Sequence, residues 1–417
     1  MLFRFCFYGF LKNQKYYDLF IMLAFVEKGL SYLMIGLLFG FREICINLME
    51  IPTGAIADVL GRRRAMIASF ISYIAAFAIF GLSERPWLLF PAMLAFSVGE
   101  AFRTGTHKAI IFDWLKREGR ADEKTAIYGK TRSWSNLGSA VSVLIAAAMV
   151  YVTDSYSAIF LACIVPYVLN IVNFMGYPAH LDGEHTGSKN IGAIMRVLLH
   201  SLRESFRRRQ VRRLLVEAMS FEGIYKSAKD YVQPLLQAAA LALPIMAAMG
   251  GRQKTALLIA PIGFALYLLS SFASRHAGWF ARRAGGEQKA SWLIWVIDFA
   301  AFAAIVVGVL TGILAIAIVA FVVLAILQNL WRPMLISRLA DRTDGKQMAT
   351  VLSIESQSKS LFAAAICPLL GWIVDSLPAD IQLWPVGAFG CAVAAIMLVT
   401  GWYQKKNAVH DRAGSVS

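Results

Sequence analysis

Long apolar blocks separated by short polar loops set the pattern of this chain. Each block runs to roughly 20 residues, enough to cross about 30 Å of hydrocarbon as a helix. The blocks are continuously apolar and do not alternate in and out as the strands of a membrane barrel would. Inside a bilayer their backbone groups have no water to bond, so each block is predicted to be helical. The predicted spans of the first half are Phe10–Val26, Ser31–Thr53, Arg64–Ser83, Trp87–Phe112, Tyr128–Val152 and Ser157–Gly176. Those of the second half are Arg213–Gln237, Lys254–Ser274, Ala290–Val309, Thr311–Ser337, Met348–Val374 and Gln382–Trp402. The pattern predicts an all-α membrane protein of about twelve transmembrane helices. The first span is the weakest, because Lys12, Lys15 and Asp18 interrupt it.

Composition agrees: 58% of residues are hydrophobic and 16% charged, against about 45–50% and about 25% in soluble domains. The basic residues give the orientation. With the N-terminus inside, Arg62-Arg63-Arg64, the cluster from Lys116 to Arg132, the stretch from Lys189 to Arg213, Arg275 to Lys289, Arg338 to Lys346 and Lys405-Lys406 all fall on one side. Only Lys28, Arg85, Arg252 and Lys254 fall on the other. Cytoplasmic loops are the basic ones, so both termini are expected in the cytoplasm, with the protein in the plasma (inner) membrane. The net charge of +15 then reflects this bias and attraction to anionic inner-leaflet lipid. No nucleic-acid partner is needed to explain it.

Cys6, Cys45, Cys163, Cys367 and Cys391 form no C-x-x-C pair and are expected as small core hydrophobes, without a disulfide framework or metal site. The N-terminal stretch shows no small-residue cleavage site and is expected to begin the first helix. The longest polar stretch divides the chain into residues 1–177, a linker 178–212, residues 213–404 and a tail 405–417. In the linker, Ile191, Ile194, Met195, Leu198, Leu202 and Phe206 recur at helical spacing, with Arg203, Arg207, Arg208 and Arg209 on the other side. That predicts a basic amphipathic helix on the inner membrane surface; a flexible basic loop is the alternative.

The strongest local signal follows the second block: Gly54-Ala-Ile-Ala-Asp58-Val-Leu-Gly61-Arg62-Arg63, preceded by Glu50. It matches G-x-x-x-D-x-x-G-R-R, and the chain resembles the major facilitator superfamily (MFS), whose signature loop lies at this place between helices 2 and 3. Gly54 would allow close helix approach and Gly61 a tight turn. Asp58 would act on helix N-termini or arginines, and the arginines would meet lipid phosphate or carboxylates. The segment from Gly278 to Gly285 echoes the loop, with Arg282 in place of the aspartate. Arg103 before Asp113 is echoed by Arg332 before Asp341. The resemblance covers nearly the whole chain. It implies two six-helix pseudo-repeats around a central cavity lined by helices 1, 4, 7 and 10.

Ionisable groups at membrane depth cost about 2.5–3.5 kcal/mol each on insertion scales, so they face a cavity or a partner. On span 4, Glu100, Arg103, His107 and Lys108 share one face of a continuous helix; on span 7, Glu222, Lys226, Lys229 and Asp230 do the same, with Tyr225 beside them. As spans 4 and 7 are cavity helices in the resembled fold, these stripes are expected to line the cavity. Asp18, Gln328, Asn329, Arg332 and Glu355 are the further lining candidates. Structural ion pairs between helices are the competing reading, equally weighted for any one residue. Arginines and lysines among them suit an anionic substrate group, and Glu100 and Glu222 are candidate proton sites. Arg42, Glu43 and Glu50, on span 2, are assigned to gating together with the loop motif.

These features predict a secondary transporter that moves a small-molecule substrate by alternating access, with proton coupling as one option. It is expected to be a monomer, without catalytic residues, metal or cofactor. The alternative is a transporter-like sensor or assembly factor that binds a ligand without moving it. No G-x-x-x-x-G-K-[ST] loop for an ATP-driven pump is present. Span 5 carries Gly138 but no proline, unlike the G-x-x-x-G-P-x-x-G-G motif of drug–proton antiporters in the superfamily, which lowers the weight of drug efflux.

Overall fold

A computed structural model describes residues 1–104, 106–120, 123–182, 209–244, 249–343 and 348–414. The linker helix expected between Ile191 and Phe206, the Asp58 side chain and the side chains of the C-terminal tail lie outside the described residues. Those described are helical almost throughout, with no strand. The helices of the first half are α1 (Leu2–Lys12), α2 (Ile21–Glu27), α3 (Tyr32–Leu60), α4 (Arg62–Leu82), α5 (Leu89–Arg103), α6 (Thr106–Arg117), α7 (Lys124–Thr153) and α8 (Ala158–Met175). Then come α9 (Arg209–Ala228), α10 (Val232–Ala242), α11 (Gly251–Arg283), α12 (Glu287–Leu310), α13 (Leu314–Ala340), α14 (Met348–Asp375) and α15 (Trp384–Gly414).

The structure corrects three spans expected as continuous helices. Span 1 is α1 and α2 with a turn between them. Span 4 ends at Arg103 and restarts at Thr106. Span 7 tightens into a 3-10 turn, Lys229–Tyr231, between α9 and α10. Each break has a local patch. Asn13 Nδ2 donates to Gly9 O (3.2 Å) and across to Ser135 O (2.9 Å), and Gln14 Nε2 donates to Gly138 O (3.1 Å). The Thr104 and Thr106 hydroxyls donate to Glu100 O and Phe102 O. Pro234, which lacks an N–H, sits in the first turn of α10, where that donor has no intrahelical partner. Among the described residues, eight helices are individually long and apolar enough to cross a membrane, and none belongs to spans 1, 4 or 7.

The chain forms two compact units: Met1–His200 with Leu236–Leu268, and Ser201–Leu235 with Leu269–Ser417. In the first, span 3 packs on spans 4 and 6, and span 1 on spans 5 and 6. In the second, span 9 packs on spans 10 and 12, and span 7 on spans 11 and 12. The second set is the first shifted by six spans, as a parallel repeat requires. Spans 1 and 5 approach through small residues: a Cβ at Gly9 would lie 2.8 Å from Thr131 O, and one at Gly138 would collide with Phe10 O. On α8, Leu161, Val165, Val168, Leu169 and Val172 are exposed along one helical stripe, a face suited to lipid.

The first unit also takes in the far ends of spans 7 and 8. Arg252, at the start of α11, pairs with Glu27 (2.7 Å) and Asp154 (3.3 Å). Gln237 Nε2 donates to Tyr156 Oη (3.3 Å), and a side chain at Gly263 would collide with Leu19.

At the signature loop, α3 ends at Gly61 with φ +95°, and a Cβ there would lie 3.0 Å from the Asp182 side chain. Asp182 Oδ1 accepts from Arg63 N (2.9 Å), capping α4 from a segment far along the chain. Gly61→Ala is expected to destabilise the protein by about 1–2 kcal/mol from the backbone alone. Its thermal midpoint in detergent would fall; an unchanged midpoint would show that the turn relaxes without strain.

Candidate functional site

The densest intramembrane chemistry of the second unit lies where α9, α13 and α14 meet. Arg332 Nη1 is 2.8 Å from Glu222 Oε1 and 2.7 Å from Glu355 Oε1. Lys359 Nζ is 2.7 Å from Glu222 Oε2 and 3.2 Å from Glu355 Oε1. Two acids and two bases thus close a ring. Glu222 and Glu355 are buried, while Arg332 is 35% exposed and keeps an open side. Glu355 Oε2 is buried without a hydrogen-bond partner.

A second charge layer sits toward the loop end of the same helices. Arg338 is six residues beyond Arg332, roughly 9 Å along a helix axis. It donates to Glu217 through both terminal nitrogens (3.1 and 2.8 Å) and to Ser291 Oγ (2.7 Å), with 4% and 7% exposure for the pair. Phe221, Trp295 and Trp331 pack together nearby: the Phe221 and Trp331 rings stack at 4.4 Å, and Arg338 lies over Trp331 at 5.8 Å.

The other span-7 candidates follow their own contacts. Lys226 Nζ donates to Ser360 Oγ (3.2 Å), and Lys229 pairs with Asp230 (2.8 Å). Since Lys229 and Asp230 lie in the 3-10 turn, the expected single helical stripe from Glu222 to Asp230 is interrupted. Tyr225 is half-buried. Asn329 Nδ2 donates to Ala325 O, and Gln328 Oε1 is buried without a partner.

In the first unit Arg103 pairs with Glu100 on its own helix, and Tyr73 of α4 donates to Glu100 and accepts from Arg103 Nε. His107 and Lys108 belong to α6, beyond the break, so the span-4 stripe is also divided. His107 packs among Tyr8 (rings 3.9 Å apart), Phe5 and Phe174, and Lys108 sits over Phe112 and Tyr128. Asp18 accepts from Tyr267 Oη (2.7 Å).

Of the gating candidates, Arg42 pairs with its neighbour Glu43 (3.1 Å) and lies over Phe39, while Glu50 is half-buried. Arg62 pairs with Asp113, and Arg63 with Asp182 (3.5 Å) and the Tyr177 carbonyl (3.0 Å). Gly54 is exposed, and a Cβ there would meet nothing within 4 Å among the described residues. Lys359, Arg338, Tyr73 and Asp182 were not assigned a role from the sequence, although Lys359, an intramembrane charge four residues after Glu355 on span 11, left a visible signal.

A sequence model of the Major Facilitator Superfamily matches residues 5–360. Among curated proteins, the chain is 23% identical over 222 residues to the uncharacterized MFS-type transporter YxaM of Bacillus subtilis, covering 52% of this chain and 53% of that one. It is 28% identical over 101 residues to the multidrug resistance protein MdtH of Citrobacter koseri, covering 24% and 25%. The matches thus span about half of the first relative's length and a quarter of the second's. Among solved structures, the nucleoside transporter NupG has a TM-score of 0.76 at 12% identity, covering 97% of this chain and 99% of that one. A POT family transporter in complex with 5-aminolevulinic acid has 0.71 at 16%, covering 96% of each. At these identities the likeness is one of fold.

Proposed function

Because the chain belongs to the Major Facilitator Superfamily, we propose that it is a secondary transporter that carries a small anionic solute together with protons by alternating access. It acts in the plasma membrane with both termini in the cytoplasm, and its two halves are six-span bundles. The observation that carries the coupling is the ring of Glu222, Arg332, Glu355 and Lys359, in which one carboxylate oxygen of Glu355 lacks a partner and Arg332 has an open side.

With both carboxylates ionised the ring is neutral. A proton on Glu355 leaves Arg332 and Lys359 facing a single carboxylate. An anionic substrate group on the open side of Arg332 restores the balance through charge-assisted hydrogen bonds. Proton and anion each raise the affinity for the other, a reciprocity required by linkage. The contacts of Arg252 with Glu27 and Asp154 serve as the outer latch that opens in the cycle. Both Arg252 pairs are partly exposed, so each is worth little and can break readily.

The test is purified protein in liposomes, offered anionic and neutral metabolites under an acid-outside gradient. Wild type accumulates an anionic solute in proportion to the gradient. Glu355→Gln keeps exchange of preloaded solute and loses gradient-driven accumulation. Accumulation by Glu355→Gln at the wild-type level would overturn the coupling role.

A further inference from the structure

A cavity of ≈ 210 Å³ opens in the second unit, lined by Arg213, Leu214, Gln288, Arg338 and Arg342. It is far smaller than the 300–1,000 Å³ or so of sites for drug-sized ligands. Arg213 comes from α9, Gln288 from the first turn of α12, Arg338 from the last turn of α13 and Arg342 from the turn that follows it. Three arginines therefore line one small space. Glu217 takes both terminal nitrogens of Arg338, and Gln288 Oε1 accepts a further bond from Arg338 Nη2 (3.2 Å). Arg342 is turned toward the same place by its bond to Arg338 O (3.0 Å).

Two further observations point to a ligand. Arg338 is 4% exposed, and its Nε is buried with no acceptor; buried donors are matched in the great majority of cases. The cavity also borders the N-terminus of α12, whose N-cap Gly286 supplies no side-chain cap; Glu287 in that turn offsets part of the helix dipole, so the arginines carry most of the pull on an anion. We infer that this cavity binds a phosphate group, either as inorganic phosphate or as the phosphodiester of an anionic lipid headgroup. Guanidinium forks match phosphate oxygens in pairs, and on the proposed orientation this end of α13 lies at the level of the inner-leaflet headgroups. The inference does not rest on the coupling ring, which lies deeper along the same helices.

The full chain is placed in phosphatidylcholine nanodiscs and its thermal midpoint followed in two arms. One adds inorganic phosphate against chloride at equal ionic strength; the other replaces part of the phosphatidylcholine with phosphatidylglycerol. The wild-type midpoint rises by several degrees in at least one arm. A rise in the phosphate arm alone marks a free anion, and a rise in the lipid arm alone marks a headgroup. Arg342→Gln leaves the Arg338–Glu217 pair intact and weakens the half-saturating concentration about tenfold or more; Arg213→Gln acts in the same direction. Arg120→Gln removes an exposed arginine of the first unit and leaves the response unchanged. No rise in either arm, or an equal loss in Arg120→Gln and Arg342→Gln, overturns the inference.

Discussion

Arg332→Gln abolishes transport and lowers stability. Without the guanidinium, Glu222 and Glu355 share only Lys359, and a buried carboxylate is left without its counter-charge. Breaking a fully buried pair typically costs 3–5 kcal/mol; with Arg332 partly open, about 2–3 kcal/mol is expected. The loss of transport is larger than stability explains, because the open side of Arg332 is the proposed anchor for the anionic group. Glu222→Gln added to Arg332→Gln rebalances the ring, recovering most of the thermal midpoint while transport stays absent. Thermal melts and liposome uptake, run on the single and double variants, separate the two effects. If the single variant transports at the wild-type rate, the ring is a structural lock and the substrate anchor lies elsewhere.

Arg338→Met has the largest expected effect on stability. Both partners of the Arg338–Glu217 pair are nearly inaccessible, so the single change leaves Glu217 as an uncompensated charge beside Phe221, Trp295 and Trp331 and costs about 3–5 kcal/mol. Glu217→Met with Arg338→Met replaces the pair by apolar side chains among buried hydrophobics and restores stability to within about 1 kcal/mol. Denaturation monitored in detergent gives the comparison. A double variant as unstable as Arg338→Met would show that Ser291 and Gln288, which also accept from Arg338, need the guanidinium for their own placement.

The extents of most spans were legible, because an apolar block of bilayer length has one helical solution. The Glu100–Arg103 pair was legible too, since residues three apart on a helix are neighbours. The partners of Arg332 were not: Glu222 lies 110 residues away and Glu355 lies 23 away, on other helices. Spacing along one helix carries no information about which faces meet. The breaks in spans 4 and 7 were marked by Thr104-Gly105-Thr106 and by Pro234, but the charges at i, i+3 and i+4 around them read as continuous stripes. In the signature loop the turn at Gly61 was visible, whereas its packing on Asp182 was not, because that aspartate follows span 6 in an otherwise ordinary polar stretch.

The break in span 1 bears on the order in which the chain enters the membrane. The side-chain N–H groups of Asn13 and Gln14 donate to the Ser135 and Gly138 carbonyls of α7. When span 1 leaves the ribosome, α7 has not been made, and neither α1 nor α2 is long enough to cross hydrocarbon alone. Nascent span 1 must therefore wait at the translocon or the bilayer surface until span 5 arrives to complete it. Insertion of this protein is then sequential in synthesis but delayed in commitment, with its first helix among the last of its half to settle.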